Sequence, residues 1–471
     1  MKMSSAALAA VRSLPLLLCL YIVGLCASIG RPIWIDEFTH FAFAAEPTSR
    51  AAWDMFVATA DYNQHGQTGI YIMLNYWTLS YLGIDATLLR LPSILSGLFL
   101  MASAVMLFRV LGFSILWQTI VVAALAGQHL LMYFVGEARA YIPIPAAAVG
   151  LLVYYVARPH YPRSHILLAY GTFAAVFGAV MHPYFAVYWP AVCLVGYVHH
   201  RAATGKRFSL SSLFAFANPI LVVVGAGLYV LLGVMTWLRE QPPFELDPFE
   251  WLHRYGPLAN FTDYSHAQFL SGHYVIAAGL TGVAVLGLLL LPADKRKDFR
   301  AFWAPVLLIV MSLALSLLIS LCSYLAQYWV LPRQWVGSVA LVAIGVIWLW
   351  AEAARIWARH APWLGLVVCA MAALIVSRQS LGLQRDKLPQ LIAYLSEPAS
   401  PRDAVTCLPP NHLDVSDMPN EARNDAFVAL ANRNIVCGGQ IWPVFREYYS
   451  GPPAPQTEQQ ASTEQTDFQA Q

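Results

Sequence analysis

SLPLLLCLYIVGLCASIGRPIWIDEF, Ser13 to Phe38, runs from an unbroken apolar stretch straight into two adjacent carboxylates, Asp36 and Glu37. The apolar part has the length a helix needs to cross a hydrocarbon core, roughly 20 residues. Similar runs recur along the chain to about Ser377. The full 471 residues are 58% hydrophobic and 11% charged, whereas an ordinary soluble domain carries roughly 25% charge. So much apolar surface cannot be hidden in a soluble core. Lipid offers no hydrogen-bond partners to the backbone, and no alternating barrel pattern is present, so the fold class expected is an all-α polytopic membrane protein. Lys2 and Arg12 ahead of the first run also fit a cleavable signal peptide, but a retained first span is the preferred reading.

Basic clusters orient the spans, because Lys and Arg concentrate on the cytoplasmic side. The clusters are Arg158 to Arg163, His199 to Arg207, Asp294 to Arg300 and Arg355 to His360. With these and Arg12 inside, spans are expected near 13–30, 90–108, 113–133, 142–157, 165–181, 184–198, 212–237, 274–292, 302–322, 334–351 and 363–378, about eleven in all. The run Gly69 to Leu82 is short and interrupted by Asn75, so it reads as an interfacial amphipathic helix instead of a span. Asp36 and Glu137 then share the outer face. Had that run spanned, they would lie on opposite sides.

The expected organisation is a transmembrane domain over 1–378, with a first outer loop at 31–90 and a lid-like outer loop at 239–273. A small outer C-terminal region follows at 379–449, in which Cys407 and Cys437 could pair on an oxidising face. The Pro- and Gln-rich stretch 450–471 has the composition of a disordered tail. Cys19, Cys26, Cys193, Cys322 and Cys369 fall inside apolar runs and read as packing residues. A net charge of +2 gives no reason to expect nucleic acid as a partner; membrane lipids are the expected surroundings.

Polar residues at the outer ends of the spans are the candidates for chemistry. Asp36 and Glu37 are either a solvated helix start or a functional pair at the membrane edge. In YFVGEARAYIPIP, Glu137 and Arg139 are either a local ion pair or a phosphate-binding arrangement, for which a guanidinium fork is suited. Asp61 and His65, Arg90, His182 and Tyr184 in MHPYF, and Arg333 in LPRQW fall on the same face. Each alone is weak, since a histidine at a helix end is more often an interfacial residue than a catalyst. No Gly-rich phosphate loop or dinucleotide fingerprint occurs, which argues against soluble nucleotide substrates.

WIDEF, QHGQTGIYIMLNYWTLSYLGIDATLLRLPSILSGL (Gln64 to Leu98) and GEARAY (Gly136 to Tyr141) resemble the GT-C membrane glycosyltransferases. The likeness is to the branch of protein O-mannosyltransferases, lipid A aminoarabinose transferases and rhizobial galacturonosyltransferases. It covers roughly the first 190 residues, with PRQW similar to the family's late Arg-Tyr position. The chain departs at Gly66 and Gln67, where the family usually has two prolines. The resemblance implies a GT-C fold with juxtamembrane helices in the first outer loop. It also implies transfer of a sugar from a polyprenyl-phosphate donor to a lipid, glycan or protein hydroxyl, with inversion, at the outer face of a plasma (inner) membrane. A phosphate leaving group needs no acid, so one base suffices, assigned to Asp36 with Glu37 as its neighbour. His65, Arg90, Glu137, Arg139, His182, Tyr184 and Arg333 are the expected substrate-binding residues. No ligand spacing in the chain demands a cofactor, and a divalent metal on Asp36, Glu37 or His65 is left open as another way to neutralise the phosphate. A transporter or flippase of lipid-linked sugars is the alternative, and it should show internal repeats and midplane charges, neither of which is seen.

Overall fold

The computed structural model describes Leu18, Tyr21, Ile22, Leu25, Glu37, His40, Phe43 and Ala44, and then residues 46–58, 69–83, 86–182, 184–205, 208–231, 302–326 and 335–356. Among these the chain is helical, with no strand. In chain order the helices are α1 (Ser49–Ala58), α2 (Ile70–Leu82), α3 (Ala86–Leu89), α4 (Leu91–Val110), α5 (Ile115–Ala126), α6 (His129–Val135), α7 (Pro143–Ala157), α8 (His165–Met181), α9 (Phe185–Thr204), α10 (Leu210–Phe216), α11 (Pro219–Tyr229), α12 (Trp303–Ala326) and α13 (Val336–Ile356).

Helix α7 is the hub. Its sequence, PIPAAAVGLLVYYVA, is apolar all round, the pattern of a helix with no solvent face, and every residue in it is buried. Both prolines stand in its first turn, where a missing N–H breaks no intrahelical bond. Around α7 pack α4, α8, α9 and α13, while α12 closes against α9 and α13. Small residues set these distances: a Cβ on Gly171 would stand 2.5 Å from the Tyr154 ring, and one on Gly150 would stand 3.0 Å from both Ala174 and Phe99. Close approach at glycine is how helices associate where the surroundings are as apolar as the side chains. Ile166, Phe173, Ile220 and Val223 face outward, as lipid-facing residues do.

Helices α4 and α13 are long and apolar enough to cross a membrane, at about 30 Å for 20 residues. The α10–α11 pair would make a third span if its two halves cross together. The chain is therefore an integral membrane protein, helical throughout its described residues. Helices α4, α7, α8, α12 and α13 stand where spans were expected near 90–108, 142–157, 165–181, 302–322 and 334–351, and α9 where one was expected near 184–198, longer at its C-terminal end. Two expected continuous spans are broken. The run 113–133 divides at Gly127 and Gln128 into α5 and α6. The run 212–237 bends by 69° between α10 and α11, where Asn218 takes a left-handed φ of 58° ahead of Pro219. Proline has no N–H with which to continue the preceding turn and disfavours helical geometry at the residue before it, which here is Asn218. The carbonyls released by this break are satisfied: Phe216 accepts from Arg158 Nη1 at 2.6 Å and Ala217 from the Tyr155 hydroxyl at 3.2 Å.

Helix α2 has 13 residues, about 20 Å of helix, short of a hydrocarbon core. It is apolar on both sides instead of amphipathic as expected, burying Tyr71, Ile72, Met73 and Leu79 together with Asn75. Asn75 is fully buried, while Trp77, Tyr81 and Leu82 are exposed, the residue types found at a membrane interface. Its start is fixed by Gly69 at φ 79°, where a Cβ would lie 2.6 Å from Phe56 and 2.7 Å from Trp53 of α1. The spans expected at 274–292 and 363–378, the lid-like loop 239–273, Cys407 and Cys437, and the regions 379–449 and 450–471 lie outside the described residues.

Candidate functional site

Glu37 is 1% exposed, and so is Arg90 at the start of α4. They meet as a fork: Arg90 Nε donates to Glu37 Oε1 and Arg90 Nη2 to Oε2, each at 2.8 Å. The Ala138 N–H adds a third bond to Oε1 at 2.7 Å. Two charges taken out of water are tolerable only in such geometry, with opposite charge and extra donors at hand. The contact also joins the segment after the first apolar run to the GEARAY turn between α6 and α7. Glu37, Glu137 and Arg139 therefore lie at one end of the bundle, as expected if α2 does not span.

Within that turn Glu137 and Arg139 are both buried. Arg139 Nη2 donates to the Tyr141 hydroxyl at 3.1 Å, and its guanidinium carbon stands 5.5 Å from the centre of the Tyr141 ring. Tyr141 leads on to His182, ring centres 6.0 Å apart, and His182 to Tyr184 at 4.8 Å. His182 caps α8 outside the helix, where the Tyr184 N–H donates to Nδ1 at 3.2 Å. A backbone N–H only donates, so Nδ1 holds the lone pair and the proton of the neutral ring sits on Nε2. Burial, and then the charge of Arg139, lower the His182 pKa to about 3, which keeps the ring neutral.

Four further side chains complete the cluster, and none was singled out as a site residue in the sequence. The Tyr71 hydroxyl is 2.5 Å from Ser93 Oγ, and Ser93 Oγ donates to the Arg139 carbonyl at 3.0 Å. Asn75 Nδ2 is 3.2 Å from Nδ1 of fully buried His40, whose ring stands edge-on to Tyr71 at 5.6 Å. The signal for Ser93 was its place three residues after Arg90 in LRLPS, which puts both on the same side of one helix. His40 likewise follows Glu37 by three. Tyr71 and Asn75, one turn apart on α2, carried no such mark, since a tyrosine in an apolar run reads as packing.

Of the residues expected from sequence, the structure brings together Glu37, Arg90, Glu137, Arg139, His182 and Tyr184. Asp36, Asp61, His65 and Arg333 lie outside the described residues. Glu37 is not the solvated carboxylate that one reading of the Asp-Glu pair allowed. Arg90 directs its fork at Glu37. That also bears on the metal alternative: with both Glu37 oxygens held by a guanidinium and a backbone N–H, a second cation there would be repelled, and Glu37 does not fit the role of a metal ligand. Among the described residues no three His, Cys, Asp or Glu side chains are grouped as a metal site would need.

No protein-family model matches the chain, and no curated protein matches it in sequence. Two solved structures are similar in shape, both of ArnT from Cupriavidus metallidurans. The one bound to undecaprenyl phosphate aligns with a TM-score of 0.48 at 14% identity, covering 95% of this chain and 75% of that one. The one in the apo state aligns with a TM-score of 0.37 at 14% identity, covering 96% of this chain and 93% of that one.

Proposed function

We propose that this protein is a GT-C-type glycosyltransferase that moves a sugar from a polyprenyl-phosphate donor to an acceptor hydroxyl at the outer membrane face, with inversion and with Asp36 as base. The observation that carries the reading is the buried carboxylate–guanidinium cluster at one end of an apolar helical bundle, in which Glu37, the residue after Asp36, is bonded to the backbone between Glu137 and Arg139. Such groups are costly to bury at a membrane edge and tend to serve a site.

The chemistry follows from the leaving group. A lipid phosphate departs as an anion and needs no proton, so the protein must remove one proton from the acceptor and stabilise growing negative charge. Asp36 takes the acceptor proton as the hydroxyl oxygen attacks the anomeric carbon from the face opposite the phosphate. The C–O bond to the phosphate breaks, and its electron pair leaves on the phosphate oxygen. Arg139, joined by Arg333, meets that charge, and a fixed guanidinium gains more against the transition state, where a second negative charge grows, than against the singly charged phosphodiester of the donor. His182 supplies its Nε2–H to a phosphate oxygen without adding charge. Glu137, Tyr184 and His65 hold the sugar and the acceptor. Glu37 and Arg90 act one step back: their fork fixes the strand of chain that bears Asp36 against the turn that bears Arg139.

The test is direct. Purified protein in lipid vesicles is given a polyprenyl-phosphate donor carrying a labelled sugar, with a hydroxyl acceptor from a membrane extract. Label should move covalently to the acceptor. If the labelled donor only changes leaflet and stays intact, the protein is a flippase and the proposal is wrong.

A further inference from the structure

Five of the six backbone groups of the Glu137–Arg139 turn have an identifiable bond. Arg139 N–H donates to the Glu137 carbonyl at 2.8 Å, an i to i+2 bond that makes Ala138 the centre of a γ-turn. Glu137 N–H donates to the Phe134 carbonyl at 3.3 Å, and Ala138 N–H to Glu37 at 2.7 Å. The Arg139 carbonyl accepts from Ser93 Oγ at 3.0 Å. A carbonyl has no proton to give, so the single Ser93 proton is committed to it. The Tyr71 hydroxyl, 2.5 Å away, is then the donor to Ser93 Oγ. Burial raises the Tyr71 pKa, so the phenol keeps its proton and remains a donor at any working pH.

The result is a directed relay, Tyr71 O–H to Ser93 O–H to the Arg139 carbonyl, through three separate parts of the chain: α2, α4 and the turn. Tyr71 and Ser93 are 1% and 0% exposed, so no water competes for these bonds. The acceptor of the last bond belongs to the peptide unit directly attached to the Cα that bears the Arg139 side chain. We infer that Tyr71 and Ser93 are positioning residues for the Arg139 guanidinium, tying the orientation of that cation to the docking of helix α2. The inference rests on the proposed sugar transfer and assigns two residues to it. Neither residue touches substrate. Each acts through the peptide plane from which Arg139 departs, and a displacement of about 1 Å at a catalytic group lowers rate up to a hundredfold.

Tyr71→Phe removes one hydroxyl and keeps the ring, so it is the gentlest probe. It is made in the parent and in an Arg139→Met background, and kcat and the donor KM are measured in the vesicle transfer assay, with the unfolding midpoint of each protein recorded. In the parent, Tyr71→Phe should lower kcat about tenfold. In the Arg139→Met background the same change should lower kcat less than about twofold, because the cation it positions is already gone. Ser93→Ala should reproduce this dependence with a larger loss in the parent. A role confined to stability would shift the midpoint and lower kcat equally in both backgrounds, and that outcome overturns the inference. So does an unchanged kcat for Tyr71→Phe in an active parent. A parent that transfers no sugar fails earlier and overturns the functional reading on which the inference stands.

Discussion

Glu37→Gln removes one charge of the buried fork while keeping its shape. Glu37 Oε1 accepts from Arg90 Nε and from Ala138 N–H, and Oε2 from Arg90 Nη2. The amide oxygen of glutamine can take the place of Oε1, but its NH2 then faces Nη2, donor against donor. Arg90, 1% exposed, keeps a charge with no counter-charge on residue 37. Breaking one side of a buried pair costs about 3–5 kcal/mol. Arg90→Met, which leaves the carboxylate with only the Ala138 N–H of its three bonds here, should cost a similar amount. The double variant buries neither charge. Its loss should fall short of the sum of the singles by about 1–3 kcal/mol, the range of coupling between residues in contact. Equilibrium unfolding in mixed detergent micelles, read by tryptophan fluorescence, measures all four proteins. Losses that add to within about 0.5 kcal/mol would mean that the two residues act independently, and the reasoning from the fork would be refuted.

Two other outcomes follow from the structure. His182 takes up a proton only near pH 3 when folded, against 6.5 for an ordinary histidine, so between these values the unfolded chain holds the extra proton. Stability should therefore fall as pH drops from about 6.5 towards 3, by at most about 1.4 kcal/mol per pH unit from this group. His182→Gln should flatten the profile by that amount, whereas parallel profiles for parent and variant would contradict the assignment. At the crossing of α7 and α9, a Cβ on Gly196 would stand 2.5 Å from Tyr155 Cβ and 3.3 Å from its backbone carbon, neither of which can swing aside. Gly196→Ala should destabilise by about 1–3 kcal/mol, and an unchanged unfolding midpoint would show that the helices separate freely there.

The helical membrane class was legible because hydrophobicity is a bulk property: runs such as Leu91 to Val110 and Val336 to Ile356 announce themselves by length alone. The breaks were not. Pro219 stands inside a strong apolar run, and whether proline kinks a span or ends it depends on partners such as Arg158 and Tyr155, which lie over 50 residues away. Charge marked Glu37, Arg90, Glu137 and Arg139, since an ionised side chain beside an apolar run needs a reason. The sequence could not say which carboxylate meets which guanidinium, because that is set by tertiary approach. Arg90, expected near a phosphate, instead forks onto Glu37. Asn75, which seemed to mark a solvated face, is the polar group α2 turns inward, to His40. Tyr71 stayed invisible because a hydroxyl in an apolar run gives no local sign of a distant partner, and the spacing of Ser93 from Arg90 marked its side of the helix but not its bond to the Arg139 carbonyl.

The central claim is that a carboxylate at residue 36 removes the acceptor proton while the Arg139 end of the cluster takes the leaving phosphate. Asp36→Asn tests it most directly, since it keeps the size of the side chain and abolishes only its basicity. With labelled donor and acceptor held in excess in vesicles, the variant should retain donor binding and transfer label at least about a thousandfold more slowly than the parent. Transfer at the parental rate by Asp36→Asn would contradict the account.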